Sequence, residues 1–260
     1  MIRALMAAAS GMQAQQMNVD TIANNLANVN TAGFKRSQVM FQDMLYDTVR
    51  APGGTQGNGA KTPSGVQMGL GTRMVSIAKV FTPGSLQVTS RDLDVAINGQ
   101  GFFRVKLPDG SFAYTRDGSF SKNSDGTLAN SDGYELDGVN AIDANATAVT
   151  IAANGDVSET VNGATQDKGQ LKLYRFVNPS GLQSLGRNLL QPSAASGDPQ
   201  EGLPGVDGIG TLQQGAIESS NVSVVDEMVN LIVAQRAYEV NTKAVQASDE
   251  MLQATNNMKR

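Results

Sequence analysis

The stretch IRALMAAASGMQAQQMNVDTIANNLANV, residues 2–29, decides how the rest of the chain is read. It contains no Pro, a single Gly at Gly11 and a single acidic residue, Asp20. Steps of three and four residues pick out Ile2, Leu5, Ala9, Met12, Gln16, Val19, Ala23 and Leu26, which places one apolar-to-small stripe along a helix. The spacing predicts a helix to about Val29, with Gly33 of Thr31-Ala32-Gly33 as its C-terminal stop.

The far end repeats this pattern. Val224, Met228, Leu231, Gln235, Tyr238, Thr242, Val245 and Leu252 fall on a similar stripe, broadened by Val225, Val229 and Ile232, and no Gly or Pro interrupts residues 222–260. Asn221 or Ser223 is the expected cap, and Asp226 and Glu227 suit the positive end of the helix dipole. At 1.5 Å per residue these helices would be about 45 and 50 Å long, well beyond the usual three turns. Small and polar residues such as Ala9, Ala23, Gln16 and Gln235 permit close helix approach but add little hydrophobic energy, at about 0.8 kcal/mol per buried CH₂. Such a stripe makes sense when many copies share it. The expected self-assembly seam is therefore Ile2, Leu5, Met12, Val19 and Leu26 with Val224, Met228, Leu231, Tyr238, Val245 and Leu252.

Between the ends the chain changes character. Asn-Gly or Asp-Gly pairs recur at Asn98-Gly99, Asp109-Gly110, Asp117-Gly118, Asp125-Gly126, Asp132-Gly133, Asp137-Gly138, Asn154-Gly155 and Asn162-Gly163, each a turn signal. Between them lie the candidate strands Leu93–Ile97, Phe102–Leu107, Phe112–Thr115, Ala148–Ile151 and Leu171–Phe176. No parallel βαβ signature appears. The expected fold class is α+β: long terminal helices packed as a coiled-coil-like stem, with a turn-rich, mainly antiparallel β central region. The expected divisions are a helical stem from residues 1–45 and 211–260, a Gly/Pro-rich insertion at 46–66, and a β-rich region of two subdomains at 67–210. Pro52 to Gly65 and residues 191–210, both rich in Gly and Pro, read as loops.

Composition removes most catalytic chemistry. The 260 residues include no His, Cys or Trp, so imidazole acid-base catalysis, thiol nucleophiles, disulfides and the usual zinc sites are excluded. With 20 basic and 24 acidic residues the net charge is -4, the opposite of a nucleic-acid footprint. No stretch is long and apolar enough for a membrane span, and Ser10, Gln13, Gln15 and Gln16 interrupt any secretory signal. Gly57-Asn58-Gly59-Ala60-Lys61-Thr62 departs from the phosphate-loop spacing and runs into Pro63. Asp92 with Asp94 and Asp226 with Glu227 are too close in sequence to straddle a substrate. The acidic residues from Asp109 to Asp137 do not follow a calcium-loop order. Phe103, Arg104 and Lys106 fit a strand better than a stacking platform, and Lys35 and Arg36 read as a solvated helix exit. No enzyme activity, metal or cofactor is expected.

Three stretches carry a resemblance to the bacterial flagellar basal-body rod and hook family. The first comprises Ala8-Ala9-Ser10-Gly11-Met12 and the run from Asn24 to Arg36, with Asn24, Asn25, Asn28, Asn30, Gly33 and Phe34. The second is Leu93 to Phe103, containing Gly99, Gly101 and Phe102, followed by Tyr114-Thr115-Arg116-Asp117-Gly118. The third is Ser220-Asn221-Val222-Ser223 with Glu227-Met228 and the run Gln235-Arg236-Ala237-Tyr238-Glu239-Val240-Asn241. The length and the insertion after Tyr46 are similar to those of subunits of the distal rod. The resemblance implies a structural subunit in a hollow helical homo-oligomer, terminal helices lining the tube and β domains outside it. It also implies torque transmission from motor to hook and a basal-body location in the periplasmic space. Export would be by the flagellar type III apparatus without a cleaved signal. The implied partners are proximal rod proteins, the hook protein, the surrounding P and L ring proteins and the export apparatus, with no nucleic acid.

Overall fold

The computed structural model describes residues 2–50 and 64–258, and the phosphate-loop-like stretch and most of the 46–66 insertion lie outside the described residues. The chain divides into two compact units. The first combines Met1–Leu26, Ser37–Ala78 and Val224–Arg260, and the second combines Ala27–Arg36 with Lys79–Ser223.

In the first unit, α1 (Ile2–Ala27) and α2 (Val224–Met258) are the two long helices. α1 ends two residues before the expected Val29, where the Thr31 N–H turns back to the Asn28 carbonyl at 3.2 Å. The unit also holds β1 (Ser37–Asp43), β2 (Tyr46–Arg50), β3 (Val66–Gly69) and β4 (Thr72–Lys79). β1 pairs with β4, and β2 pairs antiparallel with β3.

The expected fold class is corrected here. Strands β1–β4 group with the two helices, so the helices do not form a coiled-coil-like stem of their own and β structure is not confined to a central region. The physical reason lies in the helix surfaces. The buried positions of α1 are Ala8, Ala14, Thr21, Ile22 and Asn25, and those of α2 are Glu227, Ala234 and Ser248; all but Ile22 are too small or polar for a helix-only core. One side of α1 meets strand backbone instead. Ser10 Oγ accepts the Thr72 N–H at 3.3 Å, and a Cβ on Gly71 would come within 2.1 Å of that hydroxyl.

The second unit is a set of small antiparallel sheets. β5 (Leu86–Val88) pairs with Ala216–Glu218, β6 (Val95–Asn98) with Thr211–Gln214, and β7 (Phe103–Lys106) with β8 (Phe112–Thr115). β7 and β8 are the centre of a seven-stranded sheet, and Ala148–Ile151, Asp156–Val161 and Ala164–Gln170 form a three-stranded one. Of the expected strands, Phe112–Thr115 and Ala148–Ile151 form with those bounds; the others form shifted or shortened by a few residues. The hairpin between the last two strands of the three-stranded sheet turns on Asn162 and Gly163, with φ of 51° and 82°, the positive values a two-residue turn requires. Gly118 alone among the Asx-Gly glycines does not take a positive φ. Residues 191–210 are not wholly loop: Gln200–Gly202 pairs with Leu173–Arg175. Tyr174 Oη donates to Glu201 at 3.0 Å across that pair, a tie without a hydrophobic period to signal it.

Alternation along β7 builds the core. Phe103, Val105 and Phe120 join Ile97, Leu128, Leu171 and Leu173 in one buried cluster. Phe102 enters a second one with Tyr114, Tyr174 and Phe176, whose rings meet edge to face at 4.9 to 5.7 Å, the arrangement the ring quadrupoles favour.

Candidate functional site

Two features of the described residues call for a functional account: an uncovered apolar surface on the first unit and a buried ionic cluster in the second.

The first unit buries few apolar side chains, namely Ala8, Ala14, Ile22, Val39 and Ala234 among its described residues. Many larger ones are exposed. On α2 these include Val225 at 72%, Val229, Ile232, Val233 and Val240, on the strands Met40, Phe41, Val49, Val75 and Ile77, and between β1 and β2 Leu45 at 84%. The residues at 225, 229, 232, 233 and 240 recur at helical spacing and therefore share one face. A contiguous apolar surface of this kind marks an interaction site.

The expected seam residues fall at its margins. Leu5, Met12, Val19 and Leu26 on α1, and Leu231, Val245 and Leu252 on α2, are half-buried, while Val224, Met228 and Tyr238 are exposed. The Ile2 side chain lies outside the described residues. The helices run antiparallel where they meet. Asn25 Nδ2 donates to Glu227 at 3.4 Å, and Thr242 Oγ1 lies 3.4 Å from Met12 Sδ. Gln16 and Val19 line a groove with Gln235, Tyr238 and Glu239. The contact line on α1 also takes in Gly11 and Asn25, each one residue before a member of the expected stripe. Gly11 and Asn25 carry no apolar signal that would place them on that line.

In the second unit, Glu218 sits at the centre of a buried cluster. Its carboxylate pairs with Lys35 Nζ at 2.6 Å and Arg116 Nη1 at 3.0 Å, and it accepts the Gly84 N–H at 2.8 Å. Side-chain exposures are 0% for Glu218 and 3% for each cation. Lys35 also donates to the Thr82 carbonyl at 2.8 Å and Arg116 to the Gly99 carbonyl at 2.6 Å. Burial pushes the Lys35 ammonium and the Arg116 guanidinium below their ordinary values, while the Glu218 charge acts in the opposite direction on both. Backbone reinforces the cluster. The Gly33 N–H donates to the Glu218 carbonyl at 2.7 Å, and Asn221 Oδ1 accepts the Arg36 N–H at 2.7 Å. Gly33 has φ of 67°, and a Cβ there would lie 2.6 Å from the Asp117 nitrogen, so only glycine fits this crossing.

The cluster joins three stretches singled out by sequence. Gly33 and Lys35 come from the first, Gly99 and Arg116 from the second, and Asn221 from the third, with Glu218 just before it. Lys35 is not the solvated residue expected from its place after α1. Glu218 carried no signal of its own beyond lying two residues before Ser220-Asn221. Among the other motif residues, Phe102 is in the aromatic cluster and Gly101 is buried. Phe34 lies beneath Lys79, whose Nζ is 6.0 Å from the ring centroid. Asn24, Asn30, Gln235 and Arg236 are exposed, and Asn28 and Asn241 are half-buried. Arg236 pairs with Glu239 at 2.9 Å on the helix surface.

A β unit with its own closed core, in one chain with helices and strands whose apolar faces are open, defines a self-associating structural protein. Comparison with known proteins places it further. Residues 5–35 match the flagella basal body rod protein family, residues 96–159 the flagellar hook protein FlgE/F/G D1 domain, and residues 213–258 the flagellar basal body rod FlgEFG protein C-terminal family. The chain is 48% identical to the flagellar basal-body rod protein FlgG of Buchnera aphidicola subsp. Acyrthosiphon pisum, over 97% of this chain and 98% of that one. It is 46% identical to the FlgG of Borreliella burgdorferi over the whole of both chains, and 41% identical to that of Bacillus subtilis over the same extent. The chain belongs to the flagellar basal-body rod protein family, whose members are structural components of the flagellum.

Proposed function

We propose that this chain is a structural subunit of the flagellar distal rod that polymerises into a hollow, stiff drive shaft carrying torque from motor to hook. The observation that carries this reading is the uncovered apolar surface of the first unit, on α2 and strands β1–β4. Neighbouring copies cover it in the polymer, so assembly removes from water what the single chain cannot. Two different surfaces of one unit, a helix face and a sheet face, suit head-to-tail contact, which generates an open helical filament. The seam residues Leu5, Met12, Val19, Leu26, Leu231, Val245 and Leu252 stand at the border between the intramolecular helix contact and that outer surface, and take part in both.

The rod lies in the basal body and crosses the periplasmic space, which the subunit reaches through the flagellar export apparatus. Its partners are other copies of itself, proximal rod proteins, the hook protein and the surrounding P and L ring proteins. Electron microscopy of the concentrated full-length protein tests the reading: straight tubes are expected, and a discrete closed oligomer would contradict it.

A further inference from the structure

Two interlocks between α1 and α2 stand out because they are polar where a helix pair would normally be apolar. At one, Asn25, 1% exposed, donates from Nδ2 to Glu227 Oε2 at 3.4 Å. Asn25 is held rigidly for this: its Oδ1 accepts the Ser37 N–H at 2.8 Å and its Nδ2 also reaches the Ser37 carbonyl at 2.8 Å. At the other, the Asn241 amide covers Gly11, where an added Cβ would meet Asn241 Nδ2 at 2.9 Å and Cγ at 3.3 Å. Gly11 and Asn25 are two heptads apart on α1, as Asn241 and Glu227 are on α2, in opposite chain direction. Midway between them the same register sets Asn18 opposite Ala234, itself buried. The interlocks are about 21 Å apart along the helices, and both are satisfied together in only one alignment.

We infer that Asn25, Glu227, Gly11 and Asn241 are the register-determining residues of the α1–α2 pair. A seam of Ala, Ser and half-buried Leu or Val discriminates poorly between alignments displaced by a heptad, since apolar contacts of similar size recur every seven residues. A displaced pair sets Asn25 against Ala234 or beyond the start of α2, and removes Asn241 from the Gly11 niche. A buried carboxylate or amide that loses its partner carries a penalty that an apolar seam does not. A polar residue at such a position fixes alignment at some expense of stability. The inference concerns the pair within one chain and goes beyond the assembly reading.

The chain contains no cysteine, so disulfide closure reports only on introduced pairs. In the full-length protein, Met12→Cys with Thr242→Cys tests the observed register. Met12→Cys with Gln235→Cys, or with Asp249→Cys, tests displacement by one heptad in each direction. Closure is scored on the monomer-sized product in a non-reducing gel, so a failure of polymer formation leaves the readout intact. The in-register pair is expected to close at least about ten-fold faster than either displaced pair, and Asn25→Leu with Glu227→Leu to reduce that preference to about two-fold or less. Gly11→Leu, which fills the Asn241 niche, is expected to act in the same direction should the leucine pair not fold. An unchanged preference in both Asn25→Leu/Glu227→Leu and Gly11→Leu, or displaced pairs closing as fast as the observed one in the unaltered background, would overturn the inference.

Discussion

The two units divide the physical work of the protein unequally. The second unit buries Phe103, Phe120, Ile97, Leu128, Leu171 and Leu173 in one cluster and four aromatic rings in another. The first, with two helices of 26 and 35 residues and four strands, buries no aromatic side chain among its described residues and exposes most of its Val, Ile and Met. Secondary structure is therefore no guide to where stability resides. One unit closes its core within the chain; the other presents its apolar surface for closure by neighbours. Their polar groups follow the same division, since the second unit buries an ionic cluster around Glu218 and the first has polar contacts between its helices.

The largest expected effect tests whether the second unit is self-sufficient. Glu218→Ala leaves Lys35 and Arg116 as buried cations without their shared anion, and is expected to destabilise that unit by about 3–5 kcal/mol. Chemical denaturation followed by circular dichroism in the β region measures it; a loss below about 1 kcal/mol would mean that the cluster is no more than a surface pair. Next comes Leu231→Asp, or Leu26→Asp, which sets a charge at a half-buried apolar position of the first unit. Polymer recovered by sedimentation should vanish while the β-region melt is unchanged, because an unpaired buried charge is costly only where it is buried. Normal polymer from both variants would remove these positions from the seam.

A smaller effect is expected on the outer face of α2. Val229→Ala deletes two methyl groups that are exposed in the single chain, so its stability should change by no more than about 0.5 kcal/mol. Once covered by a neighbour, those groups contribute about 1.6 kcal/mol at about 0.8 kcal/mol each, and the concentration needed for polymerisation should rise roughly ten-fold. An unchanged critical concentration would show that this face stays open to water in the polymer. The smallest effect serves as the control. Lys172→Ala breaks a pair with Glu201 in which both side chains are more than 40% exposed, and should cost less than about 1 kcal/mol.

The sequence was most legible where one physical signal acted alone. Long Gly-free, Pro-free runs with three-four spacing located both helices, and Asx-Gly pairs located the turns that bound Phe112–Thr115 and Ala148–Ile151. The arrangement of these elements was less legible. The individual strands β1–β4 were not located, although β4 falls within the expected β-rich region 67–210: Met40, Phe41, Val75 and Ile77 are apolar yet exposed, which reverses the usual inference from hydrophobicity to burial. The fold-class expectation failed for that reason, since a coiled-coil-like stem presupposes that apolar stripes mark the intramolecular contact. On α1 the contact line also runs through Gly11 and Asn25, which carry no apolar signal. The ionic cluster was hidden differently: Lys35, Arg116 and Glu218 are far apart in sequence, and charge alone favours a solvated reading until topology brings them together.

Amide hydrogen exchange on the full-length protein, compared between the dilute chain and its polymer, tests most directly the claim that one unit is complete and the other is completed by neighbours. Amides of β7, β8 and Leu171 to Arg175 should be equally protected in both states. Those of α2 from Val225 to Val240, and of β1 and β4, should exchange readily in the dilute chain and become strongly protected in the polymer. Protection of α2 in the dilute chain equal to that in the polymer would contradict the account.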